Sequence, residues 1–255
     1  MTGYSSISTI GSIRIGDDPT ICDDTYKGTI RYNSATATFE GCDGAAWVSL
    51  SAPGAGGAFA CGVDQVQDAD GNWYDTVQIG SQCWMAENLD VGNRIDHNVS
   101  QTNNGTTEKY CYGDIDANCD TDGGLYQWNE MMDYTNIGMA QGICPAGWHL
   151  PTDSEWKTLE MELGMTQVQA DTTPWRGTNQ GTQLKQGGSS GFQALLAGYR
   201  FTNGSFNNRG SIAIFWSSTE SGSNAWNRNL SSSEARVLRG TSDKAFGFSV
   251  RCVKD

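Results

Sequence analysis

Alternation of apolar and polar side chains sets in early in the chain. Gly28-Thr-Ile-Arg-Tyr32 alternates, Asn33-Ser-Ala breaks the pattern, and Thr36-Ala-Thr-Phe-Glu40 resumes it. Trp47-Val-Ser-Leu50 follows Cys42-Asp-Gly44, so the pattern predicts a hairpin and then a third strand. Ser51-Ala-Pro-Gly-Ala-Gly-Gly57 offers no side chain large enough to build a core and reads as a linker. The domain boundary is placed there, with a small β-rich module over residues 1–58 and a second body over residues 59–255.

In the second body, Asp70-Gly71 is a turn signal between Val63-Asp-Gln-Val66 and Trp73-Tyr-Asp-Thr-Val-Gln-Ile79. A short strand follows through Cys83-Trp84-Met85. Residues 92–124 are polar and glycine-rich and read mostly as loop. Leu125, Trp128 and Met132 recur at helical spacing and predict a short helix. The best-marked element starts after Pro151. Thr152-Asp-Ser-Glu155 fits a capping box, in which the hydroxyl accepts the Glu155 amide and the carboxylate reaches back to the Thr152 amide. Trp156, Leu159 and Leu163 then form one apolar stripe, and Gly164 supplies the stop. Strand-like runs follow at Phe192–Tyr199, Ile212–Ser217, Ala225–Leu230, Arg236–Leu238 and Phe246–Val253, separated by turns rich in Gly, Asn and Ser.

Composition sharpens this picture. Nine Trp, nine Tyr and eight Phe stand among 32 Gly, which suits short strands and long ordered loops rather than a helical bundle. The net charge of −13 argues against a nucleic-acid partner. That charge is uneven: residues 198–255 hold eight Lys/Arg against four Asp/Glu, and the rest of the chain holds eight against 25. A split of this kind marks either an interaction face or chance in the loops. No run approaches the roughly 20 apolar residues of a membrane span, and residues 1–16 lack the basic and apolar regions of a secretory signal.

Eight cysteines without a CxxC, beside only two histidines, are poor material for zinc. An even count favours disulfides and an oxidising destination, with reduced buried thiols as the alternative. Of the 105 pairings that eight cysteines allow, the expected set is Cys22–Cys42, Cys61–Cys83, Cys111–Cys119 and Cys144–Cys252. Asp114-Ile-Asp-Ala-Asn-Cys-Asp-Thr-Asp-Gly123 places Asp114, Asp116, Asn118, Asp120 and Asp122 in the alternating oxygen pattern that calcium binds. No glutamate closes it in the EF-hand manner, so a solvated acidic loop is the competing reading. No other cofactor is expected.

Five ordered motifs resemble a known family. They are Asp70-Gly-Asn-Trp-Tyr-Asp-Thr-Val-Gln-Ile-Gly-Ser-Gln-Cys-Trp-Met-Ala-Glu-Asn-Leu89, Gly124-Leu-Tyr-Gln-Trp128, Cys144-Pro-Ala-Gly-Trp-His-Leu-Pro-Thr-Asp-Ser-Glu-Trp156, Phe215-Trp-Ser-Ser-Thr-Glu220 and Gly247-Phe-Ser-Val-Arg-Cys-Val253. Together they resemble the Fibrobacter succinogenes major paralogous domain over residues 61–255. The resemblance implies an α+β, C-type-lectin-like fold with two short helices, twisted antiparallel strands and long ordered loops. The segment from Gly28 to Gly44 resembles modules of phage tail-fibre proteins, which implies an attachment role for the first module and a homo-oligomer formed through it.

The last third also resembles the variable proteins of diversity-generating retroelements, whose templates rewrite adenines in Asn-rich text. Under that resemblance Phe201, Ile212, Ile214, Leu238, Gly240, Thr241, Ser242 and Phe246 stand where Asn is expected, and each is reachable from an AAC codon. Ser231, Ser232 and Arg236 adjoin the set. Trp216, Trp226, Glu234 and Lys244 are not reachable and read as scaffold.

The implied function is display of a variable face to a protein or glycan receptor by a virion or extracellular protein. Apolar Phe201, Ile212, Ile214 and Phe246 in polar surroundings are read as an exposed patch on that face. Core packing is the competing reading. Phe201, Phe246, Arg236 and Arg239 are the expected anchors.

No nucleophile–base pair is visible. The reactive cysteine pair of the related formylglycine-generating enzymes is absent, since Cys252 stands alone in its region. The chain is therefore read as a non-enzyme. A fixed-specificity secreted or cell-surface adhesion domain is the first alternative, and a metal-dependent hydrolase or a formylglycine-generating-like oxidase the second.

Overall fold

A computed structural model describes residues 21–23, 25, 27, 29–33, 38–42, 44–49, 59–135 and 137–255. The chain divides into two units, Met1–Ala60 and Cys61–Asp255, within two residues of the expected boundary. The expected linker at 51–57 and the stretch at 1–16 lie outside the described residues.

The alternation of the first unit becomes three antiparallel strands in the order β1 (Ile30–Asn33), β2 (Thr38–Cys42) and β3 (Trp47–Ser49). Arg31 lies 4.3 Å over the Trp47 ring and bonds Glu40, and Cys22–Cys42 ties strand β2 back to the segment before it.

The second unit is mixed α and β. It begins with β4 (Val66–Gln67), β5 (Trp73–Tyr74), β6 (Thr76–Ile79) and β7 (Gln82–Met85), then β8 (Asn93–Arg94) and β9 (Glu108–Lys109). Helices α1 (Asp116–Asp122) and α2 (Trp128–Met131), strand β10 (Trp148–His149), helix α3 (Asp153–Glu162), helix α4 (Gln167–Asp171), strand β11 (Trp175–Arg176) and helix α5 (Gln180–Leu184) follow. The chain ends with β12 (Tyr199–Arg200), β13 (Phe206–Asn207), β14 (Ile212–Ser221), β15 (Asn224–Ser231), β16 (Val237–Asp243) and β17 (Val253–Lys254). Two four-stranded sheets dominate, ordered β10-β17-β7-β6 and β11-β16-β15-β14.

Helix α3 joins them. Its Thr152–Glu155 capping box forms as expected, and Gly164 ends it in the left-handed region at φ +97°. Trp156 and Leu159 enter a core with Trp84, Phe192, Phe215, Leu230 and Val237. The rings of Trp84 and Trp156 lie 4.8 Å apart, and Phe192 meets both edge-on. Strand β14 carries a register shift between Trp216 and Glu220, which removes ladder partners from its carbonyls. Indole N–H groups replace them: Trp156 donates to the Trp216 carbonyl at 3.2 Å, and Trp128 to the Ser217 carbonyl at 2.8 Å. The tryptophans thus fill the core and satisfy the bulge at once.

Several expectations need correction. The second unit holds five α-helices among the described residues rather than two, and 116–122 is helix α1 rather than loop. Helix α4 carries its own capping box, Thr166 with Gln169, a signal as legible in the sequence as the one used for α3. Val63 is exposed in a turn, and β4 starts only at Val66. The run 192–199 is mostly irregular because Arg251 takes the Phe192 and Gln193 carbonyls that a strand would have paired. Residues 246–250 pair only through isolated bridges, leaving β17 as two residues.

All four expected disulfides are present, and no cysteine is free. No helix among the described residues is long and apolar enough to cross a membrane. Four disulfides suit an oxidising, extracellular setting. The Cys144–Cys252 bond closes a loop of 108 residues, the longest of the four. Replacing both by Ala is expected to lower unfolding free energy by about 4 kcal/mol on loop-closure grounds, read by urea titration. The unreduced, denatured chain is expected to give no reaction with a thiol reagent.

Candidate binding face

Sheet register decides which predicted residues share a surface. Opposed residues on antiparallel strands project to one side, and neighbours along a strand alternate. Ile212 opposes Ser231, Ile214 opposes Asn229, and Asn229 opposes Leu238. Asn227 opposes Gly240, and Ala225 opposes Ser242. Six of the predicted positions therefore lie on one face of β14–β16: Ile212, Ile214, Ser231, Leu238, Gly240 and Ser242. Asn227 crosses to Ser242 by a 3.0 Å hydrogen bond. Asn229 Oδ1 is occluded without a partner, at a stability cost of about 1–3 kcal/mol.

An aromatic row borders this face. Phe201 packs against Phe246 at 4.7 Å, Phe246 against Phe248 at 5.5 Å, and Phe248 against Trp216 at 4.3 Å. Exposure falls along the row from 40% at Phe201 to 1% at Phe248 and Trp216. Phe201 is thus a supported, outward ring. Phe246 and Ile212 are half-buried.

Five placements differ from expectation. Ile214 is 8% exposed, so it belongs to the floor and not to the exposed patch. Thr241 is exposed but opposes Trp226, on the other side of the sheet. Ser232 lies beyond the strand end, in the wall of a separate hollow. Arg239 is not an anchor: it is buried beneath the sheet and stacked 3.7 Å from the Trp226 ring. Arg236 is exposed, but its guanidinium is taken up by Glu234 at 2.7 Å.

The basic excess of residues 198–255 is internal support rather than a positive surface. Arg200, Arg228, Arg239 and Arg251 are buried. Arg209 pairs with Asp122, and Lys244 pairs with Glu220 while lying 4.0 Å over Trp128. The face that carries Ile212, Leu238, Gly240 and Ser242 bears one formal charge, Glu220 opposite Ala225 near the strand end, and Lys244 neutralises it.

Beneath it lies a buried ion network that the sequence reading missed. Asp153 accepts from Arg228 at 2.8 Å and from both Nε and Nη2 of Arg239 at 2.9 and 2.7 Å. Glu160, fully buried, accepts from Arg228 at 2.7 Å and pairs with Arg176. Burial alone would raise the Asp153 carboxyl, but the two guanidinium groups outweigh it and hold it down at about 2. Burial lowers Arg176 to about 10 against the pull of Glu160. A signal existed: acids at Asp153 and Glu160 lie seven apart on the face that carries Trp156.

The calcium array does not converge. Asp116, Asn118, Asp120 and Asp122 lie on helix α1, whose turn sends alternate residues to different sides. Asp114 receives the His97 backbone and ring N–H groups, Asp116 pairs with Arg94 at 2.6 Å, and Asn118 donates to the Tyr112 carbonyl. Among the described residues no group of three or more metal-ligating side chains comes together. Each histidine is held by carboxylates. His149 lies between Glu155 at 2.7 Å and Asp255 at 2.6 Å, and Glu155 chiefly raises its pKa, against burial.

A family model described as the Fibrobacter succinogenes major domain matches residues 77–254. No curated protein and no solved structure matches the chain.

The folded pKa of Asp153 lies below its unfolded value of 3.8, so acid protonates the unfolded chain first. Its contribution, about 2 kcal/mol, is present above pH 4 and lost as pH falls towards 2. Asp153→Asn is expected to remove that acid slope and to destabilise by about 3–5 kcal/mol, by leaving two guanidinium groups buried without a carboxylate. Phe201→Asn and Thr241→Asn are expected to cost about 1 kcal/mol or less each; denaturant midpoints at pH 7 compare them. His149 behaves oppositely: its folded pKa lies above 6.5, so its contribution is full below that pH and lost as pH rises through the folded value. His149→Gln should lower the thermal midpoint at pH 6 more than at pH 9.

Proposed function

From the premise that this chain belongs to the Fibrobacter succinogenes major domain family, we propose that its second unit is a non-catalytic, C-type-lectin-like receptor-binding domain with a diversifiable face. That face is the outward side of β14–β16 with its aromatic border: Ile212, Leu238, Gly240, Ser242, Phe201 and Phe246. The observation that carries the reading is the division of labour across one sheet. On the inner side Phe215, Leu230, Val237, Arg228 and Arg239 are locked into core and ion network. On the outer side Ile212, Leu238, Gly240 and Ser242 are small or aliphatic, partly exposed and without charge partners, while Trp216, Ala225 and Asn227 beside them are buried. Surface changes away from special features shift stability by about 0.5 kcal/mol or less. Ile214 and Asn229 form the floor of this surface, and Phe201 is its most exposed anchor.

The receptor is a protein or glycan on a cell surface, and a neutral contact face suits a partner patch that is itself uncharged. The first unit would serve attachment to a virion or to other copies of the chain. Disulfides in both units fit a life outside the cell.

Sequencing this gene's final segment across a population tests the reading. Adenine-linked changes should gather at codons 201, 212, 238, 240, 242 and 246, with 153, 160, 176, 228 and 239 unchanged. Changes scattered without regard to face would favour a fixed-specificity adhesion domain and sink the proposal. Once a bound cell type is known, Phe201→Ser with Phe246→Ser should weaken adhesion at least about tenfold with the fold intact by near-ultraviolet circular dichroism.

A further inference from the structure

Two hollows of the second unit share one wall. The larger, about 900 Å³, is lined by Thr182, Lys185, Leu196, Arg209 and Ser232 among others. The smaller, about 320 Å³, is lined by Trp73, Glu87, Asn72, Asp120 and Thr121. Leu195 lines both, and Asp122 of the larger hollow follows Thr121 of the smaller in the chain. Both volumes lie in or near the range of small-molecule sites.

Trp73 stands at one end, 51% exposed. It alternates outward on β5 while Tyr74 is buried. Its hairpin is held firmly. The Asp68 carboxylate accepts the backbone N–H groups of Asp70 and Asn72 and the Tyr74 hydroxyl, the last at 2.7 Å. Asp70 in turn accepts the Gly92 N–H at 2.6 Å. The indole is therefore presented with little ordering left to lose on binding, which favours contact by a preorganised aromatic surface.

The walls constrain the ligand's charge. Glu87, Asp90, Asp120 and Asp122 oppose an anion, and Lys185 and Arg209 oppose a cation; Asp90 is itself paired with Lys109 at 2.8 Å. Arg209 and Asp122 also neutralise each other. Glu87 commits one oxygen to the Asp75 N–H at 2.9 Å, leaving the other as an acceptor. With Asn72, Asp120, Thr121, Thr182 and Ser232, the cleft is rich in groups that pair with hydroxyls. Leu195 and Leu196 add apolar wall between them.

The geometry points to a neutral oligosaccharide site in this cleft, with one sugar ring stacked on Trp73 and the chain passing Leu195 into the larger hollow. An elongated, uncharged ligand with apolar ring faces and a hydroxyl rim matches the indole, the carboxylate acceptors and the presence of both signs of charge along the walls. The site is separate from the sheet face of β14–β16.

The test titrates the full chain with cellotetraose, xylotetraose, mannotetraose and chitotetraose. A tetragalacturonate and a lysine-rich hexapeptide serve as charged controls. Isothermal calorimetry and tryptophan fluorescence report binding. At least one neutral tetrasaccharide should bind with a dissociation constant below about 1 mM. Trp73→Ala should weaken it at least about tenfold with the near-ultraviolet spectrum otherwise retained, and Leu195→Trp, which fills the shared wall, should do the same. Phe201→Ser with Phe246→Ser should leave it unchanged, which separates this site from the receptor face. Absence of binding across the neutral panel up to about 5 mM overturns the inference. So does binding that survives Trp73→Ala, or preference for either charged control.

Discussion

Helix α3 and the sheet β11-β16-β15-β14 are held together by two carboxylates and three guanidinium groups removed from water. Asp153 and Glu160 reach across the interface to Arg228 and Arg239 on the sheet's inner side and to Arg176 on its edge. Ions in such a place are costly unless every one is paired and hydrogen-bonded. Here the forked guanidinium geometry meets that demand: Arg228 spans both acids, and Arg239 grips Asp153 with two nitrogens. The network is directional in a way that the surrounding Trp84, Trp156, Phe192 and Phe215 are not. Aromatic packing sets how much surface is buried, while the ion network fixes the strand register over the helix.

That register has a consequence for the outer side. Once Arg228 and Arg239 point inward, alternation obliges Asn227, Asn229, Leu238 and Gly240 to point outward. A shift of one residue would turn the arginines away from Asp153 and Glu160 and leave those carboxylates buried without partners, at a cost no single outer substitution could offset. The geometry of the outer side is thus fixed by residues on the inner side. The same logic explains the basic excess of the last third of the chain. Those arginines are struts, and their charge is spent inside: Arg251 is fully buried against the Phe192 ring and four oxygen acceptors, and burial lowers its pKa to about 9.

Indole N–H groups complete the frame. The bulge in β14 releases backbone carbonyls at Trp216 and Ser217, and Trp156 and Trp128 bind them. Trp216 itself donates to the Tyr126 carbonyl at 2.8 Å. A chain with short strands and long irregular stretches has few ladder bonds, so side chains carry much of the backbone's hydrogen bonding. Arg200 does likewise for the His97 carbonyl, and Arg251 for those of Met85 and Phe192.

By itself the sequence determined what depends on neighbours in the chain: the capped helix after Pro151, the Asp70-Gly71 turn, the three-stranded module and the family. The four expected disulfides are present too: three close short local loops, and the fourth ties the body to the final strand. Eight of the eleven predicted face positions lie on the outer side of β14–β16 or in its aromatic border, since alternation along a strand is a local property. Tertiary structure alone decided that Ile214 is floor, that Thr241 turns to the other side, that Arg239 is a strut, and that the acidic run 114–122 winds into a helix whose oxygens part company. These outcomes hang on partners distant in the chain: Asp153 for Arg239, Arg209 for Asp122, Phe248 for Trp216. A buried charge takes its meaning from the opposite charge that meets it, and only folding brings the two together.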